Sequence, residues 1–157
     1  MLLGLVMLVN ALSFGVIIPL LYPYAQRFGI GPFQLSLLFA SFSLAQLIAT
    51  PIIGRLSDRF GRKPLLLICL FGTSVSLALF ASAQVAWHLF LARILDGITG
   101  GNNSVAQAMI ADSTESGAER AKAFGILGAA YGFGFLLGPI LGGLLSQISL
   151  TAPFWFA

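Results

Sequence analysis

Apolar residues run along this chain in long blocks, and polar residues are confined to the short gaps between them. The blocks cover Leu2–Tyr24, Phe33–Gly54, Pro64–Ala83, Trp87–Ala111 and Ala121–Leu145. A helix needs about 20 mostly apolar residues to cross a hydrocarbon core about 30 Å thick. Each block therefore predicts a membrane-spanning helix, because a helix satisfies every backbone amide within itself in lipid. The gaps are short, so consecutive helices are expected to be antiparallel neighbours. Beyond Leu145, the segment Ala152-Pro-Phe-Trp-Phe-Ala157 reads as the aromatic entry of a sixth span. The expectation is an all-α polytopic bundle over residues 1–157, five spans and the start of a sixth, forming the amino-terminal part of a longer protein.

Composition supports this reading. Hydrophobic residues make up 58% of the chain and charged residues 8%, whereas soluble domains run near half and about a quarter. The mean hydropathy of +0.97 exceeds what a water-soluble fold of this size accommodates. No basic stretch precedes the first apolar block, which is also longer than the core of a secretory leader, so it reads as a true span. Cys69 is the only cysteine and can form no disulfide within the chain.

Charge then sets the expected orientation. The second-to-third gap holds Arg55, Arg59, Arg62 and Lys63, and the fourth-to-fifth gap holds Arg120 and Lys122. The opposite side has only Arg27 in its loops. The positive-inside rule places the amino terminus in the cytoplasm, and an inner or plasma membrane is the expected location. Five of the thirteen Asp, Glu, Lys and Arg residues fall within Gly54–Lys63, which reads as a cytoplasmic hairpin loop. Gly61 suits its tight turn, and Pro64 suits the first turn of the third span, where a missing amide donor is harmless. Ser116 and Glu119 have the spacing of a capping box that opens the fifth span. Trp87 and His88 fall at the outer entry of the fourth, where interfacial aromatics concentrate.

Candidate chemistry lies inside the spans. An isolated Arg or Asp at mid-helix costs about 2.5 to 3.5 kcal/mol on insertion scales, so such residues pair or face a wet cavity. Arg93 and Asp96 are spaced i, i+3 and share a helix face. At helical periodicity Gly100, Asn103, Ser104 and Gln107 continue that face as a polar stripe. One reading is a structural ion pair; the other is an aqueous path for protons or substrate, which the length of the stripe favours. An arginine does not release a proton at ordinary pH, so Asp96 is the titrating member. Ser36, Ser43, Gln46 and Thr50 share a face of the second span, and Asn10 and Ser13 one of the first. Small polar residues also serve as interhelical hydrogen bonders. In the fifth span Gly134, Gly138 and Gly142 recur every four residues, as do Gly128 and Gly132, which permits close helix approach. Pro139 removes one ladder hydrogen bond and predicts a kink. Static packing and a hinge are both compatible with that stripe.

With these residues in place, the chain resembles the amino-terminal half of a Major Facilitator Superfamily transporter, particularly the bacterial drug:proton antiporters that include tetracycline efflux proteins. Gly54-x-Leu-Ser-Asp58-Arg59-x-Gly61-Arg62-Lys63 resembles the family's loop motif, and Arg93-Ile-Leu-Asp96-Gly97 its fourth-helix motif. Gly134-xxx-Gly138-Pro139-xx-Gly142-Gly143 resembles the fifth-helix motif associated with antiporters. The resemblance implies that Asp58 is a conformational latch engaging a helix of the second half, with Arg59, Arg62 and Lys63 anchoring the loop. It implies a role in proton coupling for Arg93. Asn10 departs from the acidic residue of many relatives, which shifts proton carriage toward Asp96 or beyond Ala157. Inverted repeats would pair the second span with the fifth, and Pro51 and Pro139 fit that pairing.

The implied function is secondary active transport: proton-coupled antiport that exports small amphipathic compounds or drugs by alternating access. No covalent chemistry, cofactor, metal or nucleic acid is expected; the proton gradient supplies the energy. A GxxxxGK[ST] loop for nucleotide is absent from the sequence. The expected partners are substrate, protons, the bilayer and a carboxyl-terminal half. Alternatives are a metabolite facilitator or symporter of the same fold, a non-transporting membrane scaffold joined through the glycine stripe, and a half-transporter that dimerises.

Overall fold

The computed structural model describes residues 2–157, which form seven helices. They are α1 (Leu2–Gln26), α2 (Pro32–Phe60), α3 (Arg62–Ala81), α4 (Ala86–Thr99), α5 (Asn102–Ser113), α6 (Gly117–Ser146) and α7 (Ala152–Phe156). Four of them, α1, α2, α3 and α6, are long and apolar enough to cross a membrane.

Two expectations are corrected. The first concerns Gly54–Lys63. Instead of a ten-residue loop, Gly54–Phe60 forms the last turns of α2, and α3 begins at Arg62. Only Gly61 lies outside a helix, at φ 97°, a backbone conformation that a side chain would strain. Its amide donates to the Ser57 carbonyl at 3.1 Å and closes α2. The second concerns the fourth block. The span expected over Trp87–Ala111 is broken at Gly100 and Gly101 into α4 and α5. The Gly-Gly-Asn-Asn run there combines low helix propensity with residues that bond their own backbone, so the helix does not propagate through it.

Elsewhere the helices match the blocks to within a few residues, α1 and α6 running past their apolar limits and α3 stopping at Ala81. α6 opens at Gly117, where the Ser116 hydroxyl accepts from the Glu119 amide at 3.1 Å, the serine half of a capping box. Pro51 and Pro139 sit inside α2 and α6, and both helices continue through them.

The chain forms two compact units, one comprising α1 through Leu20 with Ala106–Ala157, the other Leu21–Val105. In the first unit, Met7, Ala106, Ile110 and Leu127 make a buried cluster, with Leu3, Val6 and Ala123 packed against it. There α6 lies on α1 along its glycines. A Cβ on Gly138 would fall 2.6 Å from the Gly15 Cα, and one on Gly134 2.5 Å from the Leu8 carbonyl oxygen. Gly142 completes the seam against Val16 and Leu20. The other stripe is open: nothing lies within 4 Å of a Cβ placed on Gly128 or Gly132.

In the second unit α4 packs against both α2 and α3. Tyr24, buried at the end of α1, donates its hydroxyl to the Phe80 carbonyl at 3.0 Å and so caps the end of α3. Its ring meets Phe28 edge-on and lies tilted against Phe80.

Candidate functional site

The second unit carries three polar features: a buried ion pair on α4, an uncharged cleft at the α4–α5 break, and a charged turn between α2 and α3.

Arg93 and Asp96 face into the contact of α4 with its neighbours. Their residues are 4% and 7% exposed, so neither charge reaches solvent. Arg93 Nη1 lies 3.5 Å from Asp96 Oδ2. Two aromatic rings flank the guanidinium, Phe80 with its centroid at 5.2 Å and Phe42 at 5.7 Å. A desolvated cation over ring faces gains about 2 kcal/mol, so the rings supply part of what water would. Arg93 Nε is buried without a hydrogen-bond partner, and so is the Thr73 hydroxyl, which neighbours Asp96 without closing a hydrogen bond of good geometry. Close helix approach produces this burial. A Cβ on Gly97 would fall 2.8 Å from the Ala45 Cβ of α2, so only glycine lets α4 come near enough to enclose the pair.

A few residues further on, the character changes. Gln46 of α2 donates from Nε2 to the Gly100 carbonyl at 3.3 Å, bonding the α4 terminus where its own ladder stops. Around this bond opens a cleft of about 590 Å³ lined by Ser43, Gln46, Thr50, Gly100, Asn103 and Ser104, with Leu47 and Pro51 as its apolar wall. The structure thus brings Gln46 and Asn103 together. Arg93 and Asp96 are not part of this lining. The stripe expected along one continuous face is therefore divided between a buried pair and an open uncharged cleft. Asn10, half-buried on α1, and Gln107, exposed on α5, belong to the other unit.

At the α2–α3 turn, Arg62 contacts both Ser57 and Asp58. Its Nη1 donates to the Ser57 hydroxyl at 2.6 Å, and its Nη2 meets Asp58 Oδ1 at 2.7 Å. Ser57 is buried and passes its own proton to the Gly54 carbonyl at 2.7 Å. Asp58 remains largely in solvent, its side chain 63% exposed. Arg59 lies over the Phe60 ring at 5.5 Å, and Lys63 is exposed. In the first unit Gly134, Gly138 and Gly142 form the seam with α1, a Cβ on Gly15 would fall 3.3 Å from Pro139 Cδ, and Gly143 faces open space.

Sequence reasoning missed the two rings beside Arg93, because aromatic residues in membrane helices are too common to signal anything. It also missed the helix break, although Gly-Gly and Asn-Asn are turn-forming pairs that announce one.

The comparisons with known proteins agree with this architecture. A Major Facilitator Superfamily profile matches residues 3–157. The Escherichia coli tetracycline resistance protein, class B, is 41% identical over 153 residues, covering 96% of this chain and 38% of the relative. The quinolone resistance protein NorA of Staphylococcus aureus (strain Mu50 / ATCC 700699) is 37% identical over 147 residues, covering 93% of this chain and 38% of the relative. The crystal structure of the human organic anion transporter MFSD10 (TETRAN) superposes with a TM-score of 0.83 at 28% identity, over 98% of this chain and 42% of that one. The chain thus spans about 38% of the length of these curated relatives, in their amino-terminal portion. It is a multi-pass membrane protein, and it belongs to the Major Facilitator Superfamily.

Proposed function

We propose that this chain supplies the amino-terminal bundle of a proton-coupled antiporter that exports small amphipathic drugs by alternating access. Tetracyclines, named by its resistance-protein relatives, are the first candidates for substrate. The observation that carries the coupling role is the Arg93–Asp96 pair, enclosed between α2, α3 and α4 with the guanidinium held by two rings. A proton arriving on Asp96 removes the counter-charge of a guanidinium that has no water to turn to. Arg93 must then find another partner, and the packing of α4 against α2 must change with it. Protonation is thereby converted into helix movement.

The test uses the full-length protein in proteoliposomes, with tetracycline accumulation driven by an imposed pH gradient. Accumulation is expected with the wild type and is expected to vanish with Asp96→Asn, while membrane insertion stays intact. Gradient-driven transport at the wild-type rate in that variant would remove Asp96 from the mechanism. Equal rates with and without the gradient in the wild type would replace antiport with facilitated diffusion.

A further inference from the structure

The cleft at the α4–α5 break takes no part in the coupling just described, and its chemistry differs from that of the ion pair. We infer that it is a binding subsite for uncharged ligands carrying adjacent hydrogen-bond donors and acceptors, and that it rejects organic cations without such groups. The inference rests on the export reading for its biological purpose, but not for its test.

Size, polarity and backbone all point this way. A volume of about 590 Å³ lies within the 300 to 1,000 Å³ or so typical of small-molecule sites. The polar groups lining it are hydroxyls and carboxamides on Ser43, Gln46, Thr50, Asn103 and Ser104, and among the described residues no Lys, Arg, Asp or Glu lines the cleft. A cation seated there displaces water and finds no counter-charge among the lining residues in return. A neutral ligand with paired donor and acceptor meets the opposite situation. Gln46 spends one Nε2 proton on Gly100 and keeps its side-chain oxygen as an acceptor. Thr50 directs its proton to the Gln46 carbonyl at 2.7 Å, so its oxygen is turned into an acceptor.

The broken helix strengthens the argument. The carboxyl end of α4 carries partial negative charge and the amino end of α5 partial positive charge, and Gly100, Asn103 and Ser104 bring both ends to one wall. The pair of dipole ends favours a ligand that is itself dipolar and uncharged. Interrupted helices are tolerated at membrane depth where they line a cavity, and transporters place substrate there.

The experiment is thiol protection in the full-length protein in nanodiscs. Ser104→Cys puts a thiol on the rim of the cleft, Cys69 is buried, and labelling of the protein without the introduced thiol sets the background. Maleimide labelling is timed with chloramphenicol, a neutral amide bearing two hydroxyls, and with tetraphenylphosphonium, a cation with neither donor nor acceptor. Chloramphenicol should slow labelling in a saturable way and tetraphenylphosphonium should not. Gln46→Ala should raise the half-protecting chloramphenicol concentration about 3- to 10-fold, as loss of one hydrogen bond predicts. Ser43→Asp should reverse the preference, and Thr50→Cys provides a second reporter should Ser104→Cys misfold. Protection by tetraphenylphosphonium as good as by chloramphenicol overturns the charge selectivity. A thiol unreactive without ligand, or no protection by chloramphenicol, overturns the subsite. Protection with no gradient-driven export defeats only the export reading; export with no protection defeats only the subsite.

Discussion

A guanidinium enclosed in protein loses its hydration shell, and Arg93 replaces it only in part, with one carboxylate at 3.5 Å and two ring faces, while its Nε has no hydrogen-bond partner. Such a set is sensitive to single deletions. Removing one member of a buried pair leaves the other uncompensated and costs about 3 to 5 kcal/mol, whereas replacing both by apolar residues is often neutral. Arg93→Leu and Asp96→Leu are each expected to lower the thermal stability of the full-length protein in detergent, and the double variant to recover most of the loss. Transport is expected to be absent in all three, which separates the structural from the coupling role. If the double variant is as unstable as the worse single one, the pair itself holds the bundle. The sequence made both charges legible, because a charge in an apolar block is conspicuous. It hid Phe42, Phe80 and Thr73, whose importance comes only from where α2 and α3 place them.

Among the elements, α6 shows how little spacing alone decides. Gly134, Gly138 and Gly142 share a four-residue period with Gly128 and Gly132, yet only the first set meets α1. The difference is one of face: one stripe turns toward α1, and what the other turns toward is no property of its own sequence. Substitution by alanine therefore has opposite expected signs on the two faces. At Gly138 the new methyl meets Gly15 backbone at 2.6 Å, and overpacking of this kind costs about 1 to 3 kcal/mol. At Gly132 the methyl meets nothing, and alanine is favoured over glycine within a helix by about 1 kcal/mol. Melting temperatures of the two variants should move in opposite directions. A Gly132→Ala variant destabilised as much as Gly138→Ala would show that both faces are packed in the complete protein. The α4–α5 break teaches the complementary lesson. An apolar window reads through Gly100-Gly101-Asn102-Asn103 because length and hydropathy average over it, whereas helix propagation is decided residue by residue.

At the level of the whole molecule, charge placement carries predictions for both orientation and cycling. Arg55, Arg59, Arg62 and Lys63 lie at the α2–α3 turn, and Arg120, which bonds the Ala111 and Thr114 carbonyls, sits with Lys122 at the start of α6. Basic residues on those two connections predict a cytoplasmic amino terminus. A thiol introduced by Arg27→Cys should accordingly react with an impermeant maleimide added outside intact cells, and labelling only after lysis would invert the topology. Asp58 belongs to the same scale. Its pair with Arg62 is half-exposed, the two side chains 63% and 24% exposed, and a solvent-reached pair contributes about 0 to 1 kcal/mol, too little to explain a carboxylate by stability. Yet Arg62 is fixed from behind by buried Ser57, so the turn presents Asp58 in one geometry with capacity to spare. A carboxylate so presented suits the amino end of a helix, whose partial positive charge it would meet in one conformation and leave in the other. In the full-length protein, Asp58→Asn should then leave thermal stability within about 1 kcal/mol of wild type and leave substrate affinity unchanged, while turnover falls. Ser57→Ala should reproduce part of the loss, because Arg62 would lose one of the bonds that position it beside Asp58. Unchanged turnover in both variants would reduce the turn to a membrane anchor and leave the conformational switch to the buried pair on α4.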